Sequence, residues 1–341
     1  MSTLVCATPG DASSDAGGGS TAGSESSAGT GAGPTGDAPG STTSAGTGAA
    51  PTTAPDATTT TTSPATTAEP EPSETSLATS TGAVDPTGFD PADALYWIDF
   101  DDAPLGPYTA DSLAAAWADP AWNQGVDEGR VEVFEGDGAY AGRSLRVHYP
   151  QGGVGPDEGG AQWQLVFPAG YTELYCAYRL RFADGFDFVK GGKLPGLAGG
   201  AANTGGDKPT GSDGWSARNM WREGGAIVQY TYHVDQPTQY GEDMPWDIGG
   251  QRHFVAGQWH RVEHRVVMNT PGVHDGVIEG WLDGERVFTR EGLLFRDVDG
   301  FAVDLFYFST FFGGSGSDWA PSKPEHVDFD EFIVAAVPIG H

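Results

Sequence analysis

The chain has 341 residues, of which 47 are acidic and 17 are Lys or Arg, giving a formal net charge of −30. That balance excludes nonspecific binding to nucleic acid and docking on an anionic membrane surface. No apolar run is long enough for a transmembrane helix, and the length allows one large domain or two ordinary ones.

From Met1 to Asp85 the residues are almost all Gly, Ala, Ser, Thr, Pro and acids, with no aromatic side chain, Lys or Arg. Such a segment cannot bury enough apolar surface to offset the entropy of ordering its backbone. Residues 1–90 are therefore expected to be a disordered linker or stalk. Cys6, just ahead of a Gly/Ser/Thr tether, sits where the acylated cysteine of a bacterial lipoprotein would, although only Leu4 and Val5 supply apolar character before it. The expectation is a secreted or cell-surface protein with a lipid anchor at Cys6. The chain changes character at about Pro91, after which Trp97, Phe100, Trp117 and Trp122 follow quickly and aromatics continue to Phe332, so residues 91–341 are expected to form one folded domain.

Along that domain short apolar-alternating runs are broken by Gly, Pro and Asp, the pattern of an all-β sandwich or barrel. Strands are predicted at 96–100, 130–134, 144–149, 161–167, 173–182, 217–222, 226–234, 259–268, 276–282, 285–289, 303–312 and 326–334. The best helix candidate is Asp111–Trp117, capped by Asp111 or Ser112. In 161–167, Gln162 and Gln164 lie opposite the apolar face of Trp163, Leu165 and Phe167. In 173–182, Cys176 shares an apolar face with Leu174, Tyr178, Leu180 and Phe182, which predicts a buried free thiol. The run 186–200 is Gly-rich and reads by itself as a surface loop carrying Lys193. Two antiparallel sheets, one presenting a polar concave face, fit this order of elements.

Residues 214–233 carry the most chemistry. Two extended runs flank Glu223-Gly224-Gly225, so a hairpin is expected. Alternation puts Ser216, Arg218, Met220 and Arg222 on one face of the first run and aligns Ala226, Val228, Tyr230 and Tyr232 on one face of the second. A three-residue connection pairs Arg218 with Tyr230 and Ser216 with Tyr232; a two-residue connection slips the register by one and separates the two faces. The basic residues Arg179, Arg181, Lys190, Lys193, Lys208, Arg218 and Arg222 also cluster in this central stretch of an otherwise acidic chain.

A guanidinium, an amine and phenols suit one reaction. In a 4-linked polyuronate the C5 proton is very weakly acidic, and eliminating the sugar at O4 requires a donor or cation at the carboxylate, a base at C5 and an acid at the leaving oxygen. Arg218 matches the first, because its planar fork fits a carboxylate. A tyrosine or lysine with a shifted pKa can serve as base or acid. The same residues would also suit simple stacking of Tyr and Arg on a half-buried sheet.

Other motifs carry less. His260 and His264 sit about 13 Å apart on a strand, too far to share an ion. Ser315 lacks the strand–turn–helix setting of a hydrolase nucleophile. Asp328 and Asp330 share a face and could serve a glycosidase, an edge strand, or a calcium site with Asp99 or Asp101.

The ordered set Lys-Gly-Gly-Lys-Leu-Pro-Gly-Leu (190–197), Trp-Ser-Ala-Arg-Asn-Met-Trp-Arg (215–222) and Tyr-Thr-Tyr (230–232) resembles polysaccharide lyase family 14, which includes alginate and glucuronan lyases. Gly257-Gln-Trp-His260, Gly280-Trp-Leu-Asp-Gly284 and Val327-Asp-Phe-Asp-Glu-Phe332 extend the resemblance over roughly residues 96–334. It implies a jelly-roll β-sandwich of two antiparallel sheets with a positively lined cleft. It also implies metal-independent β-elimination on an acidic polysaccharide; no cofactor is expected, and the protein is expected to be a monomer. By motif, Lys193, Ser216, Arg218, Tyr230 and Tyr232 match the family's catalytic set, with Lys190, Arg222, Gln162 and Gln164 expected to bind flanking sugars. The alternatives are a noncatalytic carbohydrate-binding sandwich, and a glycoside hydrolase on the same fold.

Overall fold

The computed structural model describes Phe89–Gly340 with the exception of Ser315. The N-terminal linker, Cys6 and Ser315 lie outside the described residues. Fifteen strands follow in chain order: β1 (Ala94–Ile98), β2 (Gly106–Pro107), β3 (Val131–Glu135), β4 (Arg143–Tyr149), β5 (Ala161–Tyr171), β6 (Glu173–Phe182), β7 (Gly191–Gly200) and β8 (Gly214–Arg222), then β9 (Ile227–Tyr232), β10 (Glu242–Pro245), β11 (Trp259–Val267), β12 (Gly276–Leu282), β13 (Glu285–Leu293), β14 (Val303–Phe312) and β15 (Glu325–Ala335). They form two antiparallel sheets. One has the order β13-β12-β11-β6-β15-β4-β3-β2, with β1 also paired to β15; the other runs β10-β9-β8-β7-β14-β5. The protein is an all-β sandwich, as its alternation predicts.

The two inner faces meet in an aromatic core. Trp163 on β5 stacks on Phe308 of β14 with ring centroids 3.9 Å apart, and Trp117, Phe306, Phe329 and Phe332 close around them. A second aromatic group, Phe182, Phe186, Trp221 and Phe312, fills the other end. Rings of this size dominate core energetics through the area they bury. The helix α1 (Ala110–Ala116) seals one edge with Leu113 and is followed by the buried Trp117. Its cap is Thr109, whose hydroxyl accepts from Ser112 N–H, two residues earlier than the first cap candidate in the sequence.

Two expectations are corrected. The Gly-rich run 191–200 is no surface loop: it is the central strand β7, paired on both sides. Glycine is required there by close approach. A Cβ on Gly192 would stand 2.1 Å from the Trp221 ring, and one on Gly196 would stand 2.1 Å from the Ala217 carbonyl oxygen. The central basic residues, moreover, do not form one patch. On β6, Arg179 pairs with Glu331 and Arg181 with Asp328 and Asp184, all on the outer face of the larger sheet. Lys208 donates to the Gln236 carbonyl. Only Lys193, Arg218 and Arg222 turn toward the open face of the smaller sheet.

Candidate functional site

The smaller sheet has one face in the core and one free, and the free face floors a cleft of about 600 Å³. Its centre is the β8–β9 hairpin. The connection is the three-residue turn Glu223–Gly225, with Gly224 at φ 66°, and Arg222 N–H donates to the Ala226 carbonyl at 2.7 Å. This odd turn sets Arg218 opposite Tyr230 and Ser216 opposite Tyr232. On the other side, β7 bulges between Lys193 and Gly196, where both neighbouring ladders skip Leu194 and Pro195. Pro195 has no N–H to give a ladder, so the bulge falls where the sequence cannot pair.

A buried polar chain holds that bulge from below. The Tyr178 hydroxyl donates to the Pro195 carbonyl at 3.2 Å, and Leu197 N–H donates to His264 Nε2 at 3.3 Å. His264 Nδ1–H in turn donates to Asn219 Oδ1 at 3.2 Å, which selects its tautomer. Asn219 donates to Gln229, and Gln229 donates to the Arg218 carbonyl. Burial pushes His264 down to about 3, so the ring stays neutral. The free thiol of Cys176 contacts the same His264 Nε2 at 3.2 Å and is kept protonated by burial. The sandwich interior therefore fixes both the strand that carries Lys193 and the strand that carries Arg218.

On the cleft side, Lys193 Nζ lies 3.0 Å from Met220 Sδ and 4.2 Å from the Tyr230 ring centroid. Burial, then the Arg218 and Arg222 charges, hold its amine well below the ordinary lysine range. Arg218 is 2 % exposed. Its Nη1 donates to Ser309 at 3.1 Å, and its guanidinium stands 5.1 Å from the Tyr307 ring centroid. Its buried Nε has no hydrogen-bond partner among the described residues. Among those residues no carboxylate comes within ion-pairing distance of Lys193 or Arg218, in contrast to the paired arginines of the larger sheet. A desolvated guanidinium without an anion is costly to keep, and a lysine amine with a strongly perturbed pKa beside it is the kind of group that concentrates at functional sites.

Tyr230 packs edge-on against Tyr232. Burial and the contact with Tyr232 raise the Tyr230 pKa, with Arg218 and Arg222 pulling the other way, so its phenol keeps its proton. Gly206 N–H donates to the Tyr232 hydroxyl at 3.0 Å. Arg222 lines the cleft in an ion pair with Asp243 and stands 5.8 Å from the Trp319 ring centroid.

The residues singled out from the sequence thus divide. Lys193, Arg218, Arg222, Tyr230, Tyr232 and Gln162 all line the one cleft. Ser216 does not: it is fully buried, and its hydroxyl donates to the Asn203 carbonyl at 2.7 Å, tying β8 to the loop that precedes it. Gln164 sits on the free face opposite Tyr307 without lining the cleft. Lys190 is at the mouth, ion-paired with Asp318 and 5.9 Å from the Trp319 ring centroid. Tyr307, Trp319 and Asp243 were not read as site residues. Tyr307 was findable, since alternation along 303–312 places it on the face opposite the core residues Phe306 and Phe308.

Among the described residues Asp243 is the single carboxylate lining the cleft. Asp328 and Asp330 are on the other sheet. Asp328 pairs with Arg146 and Arg181, and Asp330 accepts from Ser144, so neither faces the cleft. Among the described residues no cluster of His, Cys, Asp or Glu is arranged to hold a metal ion, and no helix is long and apolar enough to cross a membrane.

No curated protein matches the chain at a significant level. Solved structures do. Alginate lyase Aly36B is 25 % identical with a TM-score of 0.61, covering 72 % of this chain and 98 % of its own. The PL-14 alginate lyase of Aplysia kurodai is 24 % identical with a TM-score of 0.60, covering 72 % and 99 %. Alginate lyase vAL-1 from Chlorella virus is 23 % identical with a TM-score of 0.52, covering 61 % and 89 %. The family model described as Polysaccharide lyase 14 matches residues 138–332, a span that holds every cleft side chain named above. The chain belongs to polysaccharide lyase family 14.

Proposed function

We propose that the protein cleaves a 4-linked polyuronate of the alginate type, outside the cell, by β-elimination. The observation that carries this reading is the convergence on one cleft of the buried guanidinium of Arg218, which among the described residues has no carboxylate within ion-pairing distance, and the desolvated amine of Lys193. A uronate supplies that carboxylate. The 25 % identical alginate lyase favours alginate among polyuronates.

In this reading Arg218 holds the sugar's carboxylate and stabilises the charge that builds on it as C5 is deprotonated. Lys193, kept neutral by its desolvated, cation-flanked position, takes the C5 proton. The electron pair of the C5–H bond becomes the C4–C5 double bond, the C4–O bond breaks, and the oxygen leaves with a proton. Tyr230, whose phenol burial keeps protonated, is the donor, with Tyr232 beside it. The ammonium of Lys193 then returns a proton to the tyrosinate through solvent. Because a guanidinium supplies the positive charge, no metal ion is required. Ser216 and the β7 bulge hold the reacting groups in register from behind.

The test is to incubate the protein with alginate, glucuronan and a neutral glucan and to follow the ultraviolet absorbance of unsaturated uronate. Absorbance should rise with alginate and persist in the presence of a chelator. Arg218→Ala should lower kcat by roughly 10²–10³-fold. Lys193→Ala and Tyr230→Phe should each lower it by roughly 10²–10⁴-fold. New reducing ends without absorbance would mean hydrolysis, and binding without either product would mean a lectin. Either result sinks the proposal.

A further inference from the structure

Beside the reacting centre lies a second hollow of about 410 Å³, lined by Trp122, Asn123, Gln124, Glu128, Gln162 and Tyr307. Gln162 and Tyr307 line both spaces, so the hollow adjoins the cleft. The segment that walls it precedes residue 138, where the family match begins. It is attached as an extra edge to the smaller sheet: Gln124 bridges Gln162, with Gln162 N–H donating to the Gln124 carbonyl at 2.9 Å.

The chemistry changes along the groove. The β7–β10 side carries Lys193, Arg218 and Arg222, whereas the hollow contains neither Lys nor Arg. Its one charged group, Glu128, accepts from Gly125 N–H at 2.6 Å and lies 3.7 Å from Arg130. Asn123 donates to Asp127 at 3.0 Å, and the remaining polar groups, two amides and a phenol, form a chain. Gln162 Nε2 donates to Gln124 Oε1 at 2.6 Å, Gln124 donates to Asp157, and the Tyr307 hydroxyl donates to Gln162 Oε1 at 3.4 Å. Trp122 is half-buried, and its ring meets Tyr307 edge-on at 5.9 Å, leaving an aromatic wall beside the amides. A pocket with an aromatic wall and a few fixed polar groups suits a ring with an apolar face and hydroxyl edges.

We propose that this hollow is a further sugar-binding subsite, which grips a ring of the same polymer through its hydroxyls and its C–H face and not through its carboxylate. The proposal deepens the polyuronate reading and rests on it. It makes the groove unsymmetrical: the acid group is recognised at the centre and toward β10, and only the shape and hydroxyls of the sugar at the β5 end. A ring that turns its carboxylate toward Glu128 is disfavoured there, so the hollow selects how the chain is oriented across the sheet.

Calorimetric titration of uronate oligomers of increasing length tests this, using the Lys193→Ala chain to prevent turnover. Affinity should step up at the length whose terminal ring reaches the hollow. Trp122→Ala in the same background should remove that step, a loss of about tenfold for the longer oligomers, and leave the shorter ones unchanged. Trp122→Phe should restore most of it. Equal weakening at every length, or no weakening at all, overturns the subsite. If the unsubstituted chain cleaves alginate yet shows no length-dependent step, only the subsite falls. If it cleaves no polyuronate, the lyase reading falls, and the same titration on the unsubstituted chain decides the subsite alone.

Discussion

At the scale of single residues, the candidate base is also a structural burden. Lys193 has a folded-state pKa far below that of a free lysine, so the unfolded chain binds the proton more tightly than the fold does. Stability therefore rises with pH from the lowered value up to about 10.4, the unfolded one. Lys193→Met fills the same space without a charge and keeps a contact with Met220. It should stabilise the fold at neutral pH by about 0.5–2 kcal/mol, with the gain shrinking as pH rises toward about 10.4, while activity disappears. Thermal unfolding against pH checks the first part, and unchanged or lower stability at pH 7 would contradict it. In the unsubstituted protein kcat/KM should climb as pH rises through the lowered Lys193 pKa, because only the neutral amine accepts the C5 proton. A rate that falls over that range would argue for Lys193 as the acid instead.

At the scale of elements, legibility depended on whether side chains or backbone set the structure. The β8–β9 hairpin could be read because alternation fixed the faces and Glu-Gly-Gly admitted an odd turn; register, and hence the Arg218–Tyr230 pairing, followed. β7 could not, since glycines that serve close approach look like glycines that serve a loop. What separates the two is the large neighbour each glycine admits, Trp221 over Gly192 and the β8 backbone beside Gly196, and those come from sequence-distant strands. Ser216 was misplaced for a related reason: alternation gives its face but not that the chain before β8 folds over it. The hollow beyond Gln162 depends on a loop bridging β5, which no local pattern announces. Gly196→Ala tests the close-approach argument. Its methyl would collide with the Ala217 carbonyl and crowd the Arg218 backbone, so it should destabilise by about 2 kcal/mol or more and depress activity beyond what the lost stability explains. An Ala variant of ordinary stability and rate would show that the strand tolerates separation.

At the scale of the whole molecule, buried titrating groups of opposite tendency set the pH range of the fold. Burial holds His264 to about 3 and His326 to about 4, both depressed bases, so their contribution is present at neutral pH and is lost as pH falls below about 6.5. Asp330 runs the other way. Burial raises it to about 7, so its contribution is present below about 3.9 and is lost as pH rises through 7. Asp330→Asn, which keeps a partner for Ser144, should raise stability at pH 8 by roughly 1–3 kcal/mol and change little at pH 4. Denaturant titrations at the two values decide it, and an equal effect at both would refute the assignment.

The arginines of the larger sheet's outer face are each paired with a carboxylate, some of them sharing one, so little of their charge escapes into solvent. What a distant polyanion meets is the field of a chain carrying −30, with the attractive guanidinium visible only at contact range. Encounter is then resisted by like charge and relieved by dissolved ions that shorten the reach of that repulsion. The protein should capture its substrate faster in brine than in fresh water, the reverse of electrostatic guidance, and kcat/KM measured from low to moderate ionic strength would register the climb.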